Sequence, residues 1–294
     1  MEIRAAAAGD VDQGLALHDT LVPYLVTTRG MLTRRLARPA EPGRATFAAF
    51  DGGELVGWAT TDLIGGSDPS AGELRLLVRP EHRRRGIGTQ LLAATHANLR
   101  AAGATTARVF ADPSSVEWAA QFGYRQTRRV VYAGIDPRHA HDQPEPPSAV
   151  QLVTLTEVRP EALYAVDVVA QRTKPGDAKI SARPYDEWLA AVWRSEDTVL
   201  DLSVAATYRD EIVAFTLSLG DHTMIWSKMT STLPEYRGRG LAKLVKAAAL
   251  QRAADAGVRG AYTANYDGNT PMLAVNEWLG YHRIATHAVL ICPL

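Results

Sequence analysis

Short runs of apolar and β-branched residues alternate with helical periodicities along the chain, and the same order occurs twice. Glu2–Ala6 reads as a strand, and Asp10 is placed to cap a helix running to about His18. Leu21–Leu36 is a second helical stretch, broken near Pro23 and Gly30. Strands at Ala45–Phe50 and Leu55–Leu63 turn at Asp51-Gly52-Gly53, and Gly65–Ser70 is a loop. Leu74–Val78 is a fourth strand. The helix after Gly86 carries Ile87, Leu91, Leu92, Thr95 and Leu99 on one face. Thr105–Phe110, a helix from Pro113 to Phe122 and a strand over Tyr124–Ile135 complete the half.

Pro137–Ser148 holds four prolines among polar residues and reads as an extended, semi-rigid linker. The order then repeats: a strand at Val150–Leu155, helices at Glu161–Val169 and Tyr185–Arg194, and strands at Val199–Tyr208, Ile212–Leu219 and Met224–Thr232. The helix after Gly240 buries Leu241, Leu244, Val245 and Ala248, with Lys243 and Lys246 expected toward water. Gly260–Ala264, Thr270–Leu279 and Tyr281–Ile291 follow as strand, helix and strand. The expected domains are 1–136 and 149–294, joined by 137–148. Each is an α/β domain with a mixed, mostly antiparallel sheet flanked by helices.

The repeat is sharpest at two loops. Val78-Arg-Pro-Glu-His-Arg83-Arg84-Arg85-Gly86-Ile87-Gly88-Thr89 and Thr232-Leu-Pro-Glu-Tyr-Arg237-Gly238-Arg239-Gly240-Leu241-Ala242-Lys243 share an Arg-x-x-Gly-x-Gly/Ala core between a strand and a helix. Gly240 follows Gly86 by 154 residues, and in both halves a further glycine, Gly103 or Gly257, comes 17 positions later. Each half ends in Gly-Tyr: Phe122-Gly-Tyr124 and Leu279-Gly-Tyr281. A fixed offset of this kind marks a tandem duplication. Small residues let a ligand approach the backbone, and the first amides of a helix lack intrahelical acceptors. The loops therefore suit an anion, above all a pyrophosphate.

These loops, their proline lead-ins, the Gly-Tyr endings and Asn269-x-x-Met272-x-x-x-Asn276-x-x-Leu-Gly280 resemble the GNAT acetyltransferase superfamily. The resemblance implies an acetyl-CoA cleft in each half, where the fourth and fifth strands splay. Leu76, Leu77 and Val78, or Thr230, Ser231 and Thr232, would pair with the pantetheine. The amides of 83–89 or 237–243 would hold the pyrophosphate, and Asn269 would touch the pantetheine arm. Asp112 stands at the place of Asn269 in the first half. Many relatives carry a tyrosine acid four positions before the closing glycine. Here those positions are Asn276 and Ala119; an amide can donate a hydrogen bond to sulfur but cannot give up a proton. Glu73 lies where several relatives carry a base, and equally reads as a strand-end charge. Tyr266 and the pair Asp221-His222 are further candidates.

The tandem arrangement is similar to that of the mycothiol synthases, in which one half works and the other is largely structural. The implied activity is transfer of an acetyl group to an amine of a small molecule, with the chemistry in the second half, in a monomer or homodimer. A non-catalytic acyl-CoA-binding protein is the alternative. Composition adds limits. With 32 basic and 32 acidic residues the chain has no net charge, which argues against a nucleic-acid partner. The single cysteine, Cys292, is expected buried in the last strand and suits a reducing cytoplasm. No signal peptide, membrane span or metal-ligand spacing of histidines is legible.

Overall fold

The computed structural model describes residues 1–64, 70–172 and 183–294. The expected loop at 65–70 and the polar stretch 171–184 fall largely outside them. The chain forms two compact units, Met1–Val130 with Thr286–Leu294, and Val131–Ala285.

In the first unit β1 (Glu2–Ala5), β2 (Ala45–Asp51), β3 (Glu54–Leu63) and β4 (Ala71–Val78) pair antiparallel in sequence order. β5 (Thr106–Ala111) runs parallel to β4. The helices are α1 (Val11–Leu21), α2 (Arg29–Ala37), α3 (Ile87–Ala101) and the short α4 (Val116–Ala120). Asp10 does not cap α1 with its side chain. Its carboxylate instead accepts from the Ala7 amide at 2.7 Å and is gripped by Arg4 at 2.7 and 2.8 Å. The helical stretch expected over 21–36 forms only from Arg29, capped by Thr28, whose hydroxyl accepts from the Met31 amide.

β6 (Arg125–Ile135) leads to a 3-10 turn at Pro137–His139 and an extended segment. This linker is not free-standing: Pro137 is buried, the His141 amide donates to Leu279 O at 3.3 Å, and the His141 ring meets Trp278 edge-on. The second unit then repeats the order with β7 (Val150–Thr154), α5 (Pro160–Arg172), α6 (Tyr185–Trp188) running into a π-turn, β8 (Val204–Tyr208), β9 (Glu211–Gly220), β10 (Met224–Thr232), α7 (Leu241–Asp255), β11 (Gly260–Tyr266) and α8 (Thr270–Trp278). β7 to β10 are antiparallel neighbours and β11 is parallel to β10. β12 (His282–Pro293) closes the chain.

The two closing strands do not stay with their halves. From Thr286 onward β12 belongs to the first unit, where Ala288–Pro293 pairs antiparallel with Ala111–Thr106 of β5. From Val131 onward β6 belongs to the second unit, beside β11. The compact units thus differ from the sequence halves 1–136 and 149–294. Cys292 is buried in the first unit, its Sγ 3.2 Å from Phe122 O. Leu74, Leu92, Leu99, Tyr124 and Leu290 share one core cluster there. Leu250, Val258, Leu279 and Tyr281 share another in the second unit.

Candidate active site

In both units the parallel pair of strands parts. β4 and β5 are in register only from Ala71↔Thr106 to Leu74↔Val109, although both strands continue. β10 and β11 pair only from Met224↔Gly260 to Trp226↔Tyr262. Beyond these points the facing edges carry no ladder, so Leu76–Val78 and Thr230–Thr232 line an open edge. At the parting of β10 the register against β9 shifts between Ser227 and Met229, a β-bulge that turns the strand.

The two loops are built alike. Gly86 and Gly240 are the N-cap residues of α3 and α7, with φ of 80° and 78°, and neither helix has a side-chain cap. This left-handed backbone is why glycine stands there. The first intrahelical bonds are Gln90 N to Gly86 O and Leu244 N to Gly240 O, both 3.1 Å. The amides of Ile87, Gly88 and Thr89, and of Leu241, Ala242 and Lys243, precede those bonds. A Cβ on Gly238 or Gly240 would meet no atom within 4 Å, and one on Gly86 only the end of Gln90. Arg83 Nε donates to Val78 O at 3.1 Å and Arg237 Nε to Thr232 O at 3.2 Å, the same brace in each loop. Arg84, Arg85 and Arg239 are exposed. Open amides beside exposed guanidinium groups fit a polyphosphate.

In the second unit the predicted residues lie on α8, on β11 and in the turn before β10. Asn269 is half-buried at the N-cap position of α8 and makes no side-chain cap bond. Asn276, two turns on, is buried. Its Nδ2 donates to Asn265 Oδ1 on β11 at 2.7 Å, while its Oδ1 has no hydrogen-bond partner. A buried amide oxygen left unpaired costs about 1–3 kcal/mol. Met272 is half-buried. Tyr266 is the half-buried last residue of β11. Asp221 and His222 are occupied elsewhere: Asp221 Oδ1 accepts from the Thr223 and Met224 amides, and His222 contacts Asp201 at 2.9 Å.

Lys246 corrects the expectation from periodicity. It is 3% exposed, its Nζ 2.9 Å from Ser227 Oγ and 5.1 Å from the centre of the Tyr281 ring. Burial alone lowers its pKa to about 7. Lys243 lies over the Trp278 ring at 4.7 Å. The helical pattern misled because Leu244–Leu250 is buried without interruption, so α7 has no broad solvent face there.

In the first unit Glu73 is held by Arg108, with Nη2 2.5 Å and Nε 3.1 Å from Oε2. Ala119 is buried and offers no polar atom. Asp112 Oδ1 is engaged by the Ser114 amide and hydroxyl. A polar group that sequence reading missed gathers here: Tyr24 Oη lies 2.8 Å from His287 Nε2, and Arg75 acts electrostatically on both and on His18. His287 comes from β12, so no local signal joins it to Tyr24.

A parted parallel strand pair opening onto an uncapped, glycine-led helix, made twice, defines an acyl-CoA-dependent transferase fold. The chain belongs to the acetyltransferase (GNAT) family, whose model matches residues 15–124 and again 169–281. It is an acyl-CoA-dependent N-acetyltransferase of tandem type. It is 26% identical to a mycothiol acetyltransferase of Nocardiopsis dassonvillei over 275 residues, covering 84% of this chain and 82% of the relative. It is 27% identical to that of Actinosynnema mirum over 254 residues, covering 84% and 83%. The fold matches a GCN5-related N-acetyltransferase from Sphaerobacter thermophilus (TM-score 0.77, 18% identity, 99% of this chain and 95% of that one). It also matches a tandem GNAT protein from the clavulanic acid biosynthesis pathway (TM-score 0.72, 22% identity, 99% and 98%). Among the described residues no helix is long and apolar enough to cross a membrane, and no His, Cys, Asp and Glu side chains cluster to hold a metal.

Proposed function

We propose that the second unit transfers an acetyl group from acetyl-CoA to a primary amine of a small molecule, and that the first unit keeps a cofactor cleft without an equivalent leaving-group contact. The observation that carries this reading is Asn276: buried where the strands part and anchored through Nδ2 to Asn265, it has a side-chain donor. Its counterpart Ala119 has none.

Acetyl-CoA, when bound, supplies an acyl carbon activated as a thioester. The amides of Leu241, Ala242 and Lys243, with Arg237 and Arg239, would hold the pyrophosphate at the positive end of α7. The open edge of Thr230–Thr232 would take the pantetheine as an added strand. Asn269 would hold its arm. Nδ2 of Asn276 spends one N–H on Asn265 and keeps a second to donate toward the sulfur as negative charge grows there. Proximity in a ternary complex and this donated bond would supply most of the rate. In the first unit the amides of 85–89 beside Arg83 and Arg84 form the matching cradle.

The amine acceptor is supported by the family reaction and by the mycothiol acetyltransferase relatives. One buried cysteine and the lack of a membrane-spanning helix among the described residues support a cytoplasmic protein. Thiol release from acetyl-CoA with a panel of primary amines tests the reading. Release that depends on one class of amine supports it; binding of acetyl-CoA without release under any amine would favour a non-catalytic acyl-CoA-binding protein.

A further inference from the structure

The family reaction requires a proton to leave the acceptor before its nitrogen can attack, and the two acidic residues that flank β10 are not placed to take it. Asp221 is tied into its own turn, and the acidic residue nearest the loop, Glu235, is exposed. Ser227 is the first residue of β10 beyond the segment paired with β11, so it stands where the strands part, at the start of the bulge. It is half-buried. Behind it, Lys246 reaches from the second turn of α7 with Nζ 2.9 Å from Ser227 Oγ.

The setting of Lys246 is unusual for a structural lysine. It is fully enclosed, and among the described residues it has no ion-pair partner. An ammonium so placed forfeits its hydration with no carboxylate to compensate. α7 packs against β8, β9, β10, α8 and the turns at 137–139 and 200–202. None of these contributes a charge to Lys246: burial is the sole cause of its shift. The titratable group facing it is the Tyr281 ring, 5.1 Å from Nζ, whose hydroxyl burial keeps protonated. Lys243, one turn back, is directed to Trp278. A lysine that sheds its proton near neutrality, one hydrogen bond from a cleft, is placed for base chemistry.

We propose that Ser227 and Lys246 form the proton path of the second unit, Ser227 meeting the acceptor amine and Lys246 taking the proton behind it. The proposal rests on the reading that the second unit carries out the transfer. The step balances as follows. The acceptor ammonium passes one proton to Ser227 Oγ while the Ser227 hydroxyl proton moves to Lys246 Nζ, which becomes an ammonium. The freed amine forms the N–C bond as the C–S bond breaks. The remaining surplus proton on nitrogen leaves with the sulfur as thiol, and Lys246 returns its proton to solvent between turnovers. With Nζ neutral, the same 2.9 Å contact serves with the serine as donor. Lys246 acts through Ser227 and is a positioning residue, not a substrate contact.

The test has two arms on the full-length protein. The chain contains five lysines, so lysine-labelled protein gives five side-chain signals, and Lys246→Met assigns one of them. That signal is expected to titrate near pH 7. A Lys246 signal that stays charged to pH 10 overturns the proposal. In the second arm, kcat/KM for acetyl-CoA with the most active primary amine of a panel is followed against pH. Wild type should fall on the acid side of about pH 7. Lys246→Met and Ser227→Ala should each lose on the order of a hundredfold at neutral pH and lose that acid limb, with acetyl-CoA affinity unchanged. Lys246→Arg, cationic throughout, should not restore it. If Lys246→Met does not fold, Ser227→Ala decides, because it leaves the lysine in place and cuts the path. Unchanged profiles in Ser227→Ala overturn the proposal even if the transfer itself is seen. Absence of thiol release by wild type with every amine overturns the functional reading instead, and the lysine titration distinguishes the two failures.

Discussion

Asn276 on α8 and Asn265 on β11 are joined side chain to side chain, Nδ2 to Oδ1 at 2.7 Å, which fixes the Asn276 amide at the edge where β11 has left β10. A free asparagine would rotate between many directions; this one is held. If its remaining N–H serves the leaving sulfur, Asn276→Ala should lower turnover by roughly tenfold to a hundredfold, about 1.4–2.7 kcal/mol of barrier. Acetyl-CoA affinity should change little. Asn265→Ala should give a smaller loss of the same kind, by releasing the amide. Glu73→Gln in the first unit should leave turnover intact, since Glu73 is spent on Arg108. Steady-state kinetics on the three variants checks this; activity lost in Glu73→Gln and kept in Asn276→Ala would assign the halves the other way round.

Both loops are intact, so calorimetry with acetyl-CoA should give a stoichiometry near two and an affinity in the micromolar range, roughly −8 kcal/mol. One site per chain that survives Gly86→Val would show that the first cleft does not bind.

Stability should depend on His18. It is buried beside Trp58 in the first unit, and neither ring nitrogen has a partner. Burial first, then the cations Arg75 and Arg35, lower its pKa to about 4. The unfolded chain takes up the proton near pH 6.5 and the folded chain only near 4. Stability is therefore full above about pH 6.5 and falls as the pH drops through that window, by on the order of 3 kcal/mol. Denaturant unfolding of wild type and His18→Phe between pH 4 and 7 measures it. A flatter pH dependence in the variant is expected; identical slopes would contradict the assignment.

The repeat and its two loops could be read from residues alone because they are local. Glycine at 86 and 240 is needed where the backbone turns left-handed, and the same arginine brace recurs at the same offset. The exchange of closing strands was not legible. The apolar alternation in 125–135 and in 282–293 says that each is a strand, but pairing is non-local and either strand satisfies either sheet edge. The contact of Tyr24 with His287 depends on that exchange and was hidden with it. Lys246 was misplaced for another reason: a helix covered on several sides loses the polar stripe from which solvent exposure is inferred.

Deleting Thr286–Leu294 tests the exchange. Six positions of β12 pair with β5 in the first unit. Hydrogen exchange should then rise sharply in Thr106–Ala111, while Leu241–Asp255 of the second unit stays protected. Continued protection of β5 in the truncated chain would refute the pairing.

The central claim is that this chain moves acetyl groups from acetyl-CoA through the cleft at Gly240. The most direct measurement is thiol release from acetyl-CoA with the amine panel, run side by side on wild type, Gly240→Val, Gly86→Val and Gly257→Val. The last is a control for backbone strain alone, since Gly257 also has φ of 78° with open space around its Cβ position. Amine-dependent release that persists in Gly86→Val and Gly257→Val and disappears in Gly240→Val is the predicted result. Release that survives Gly240→Val and is lost in Gly86→Val would contradict the account.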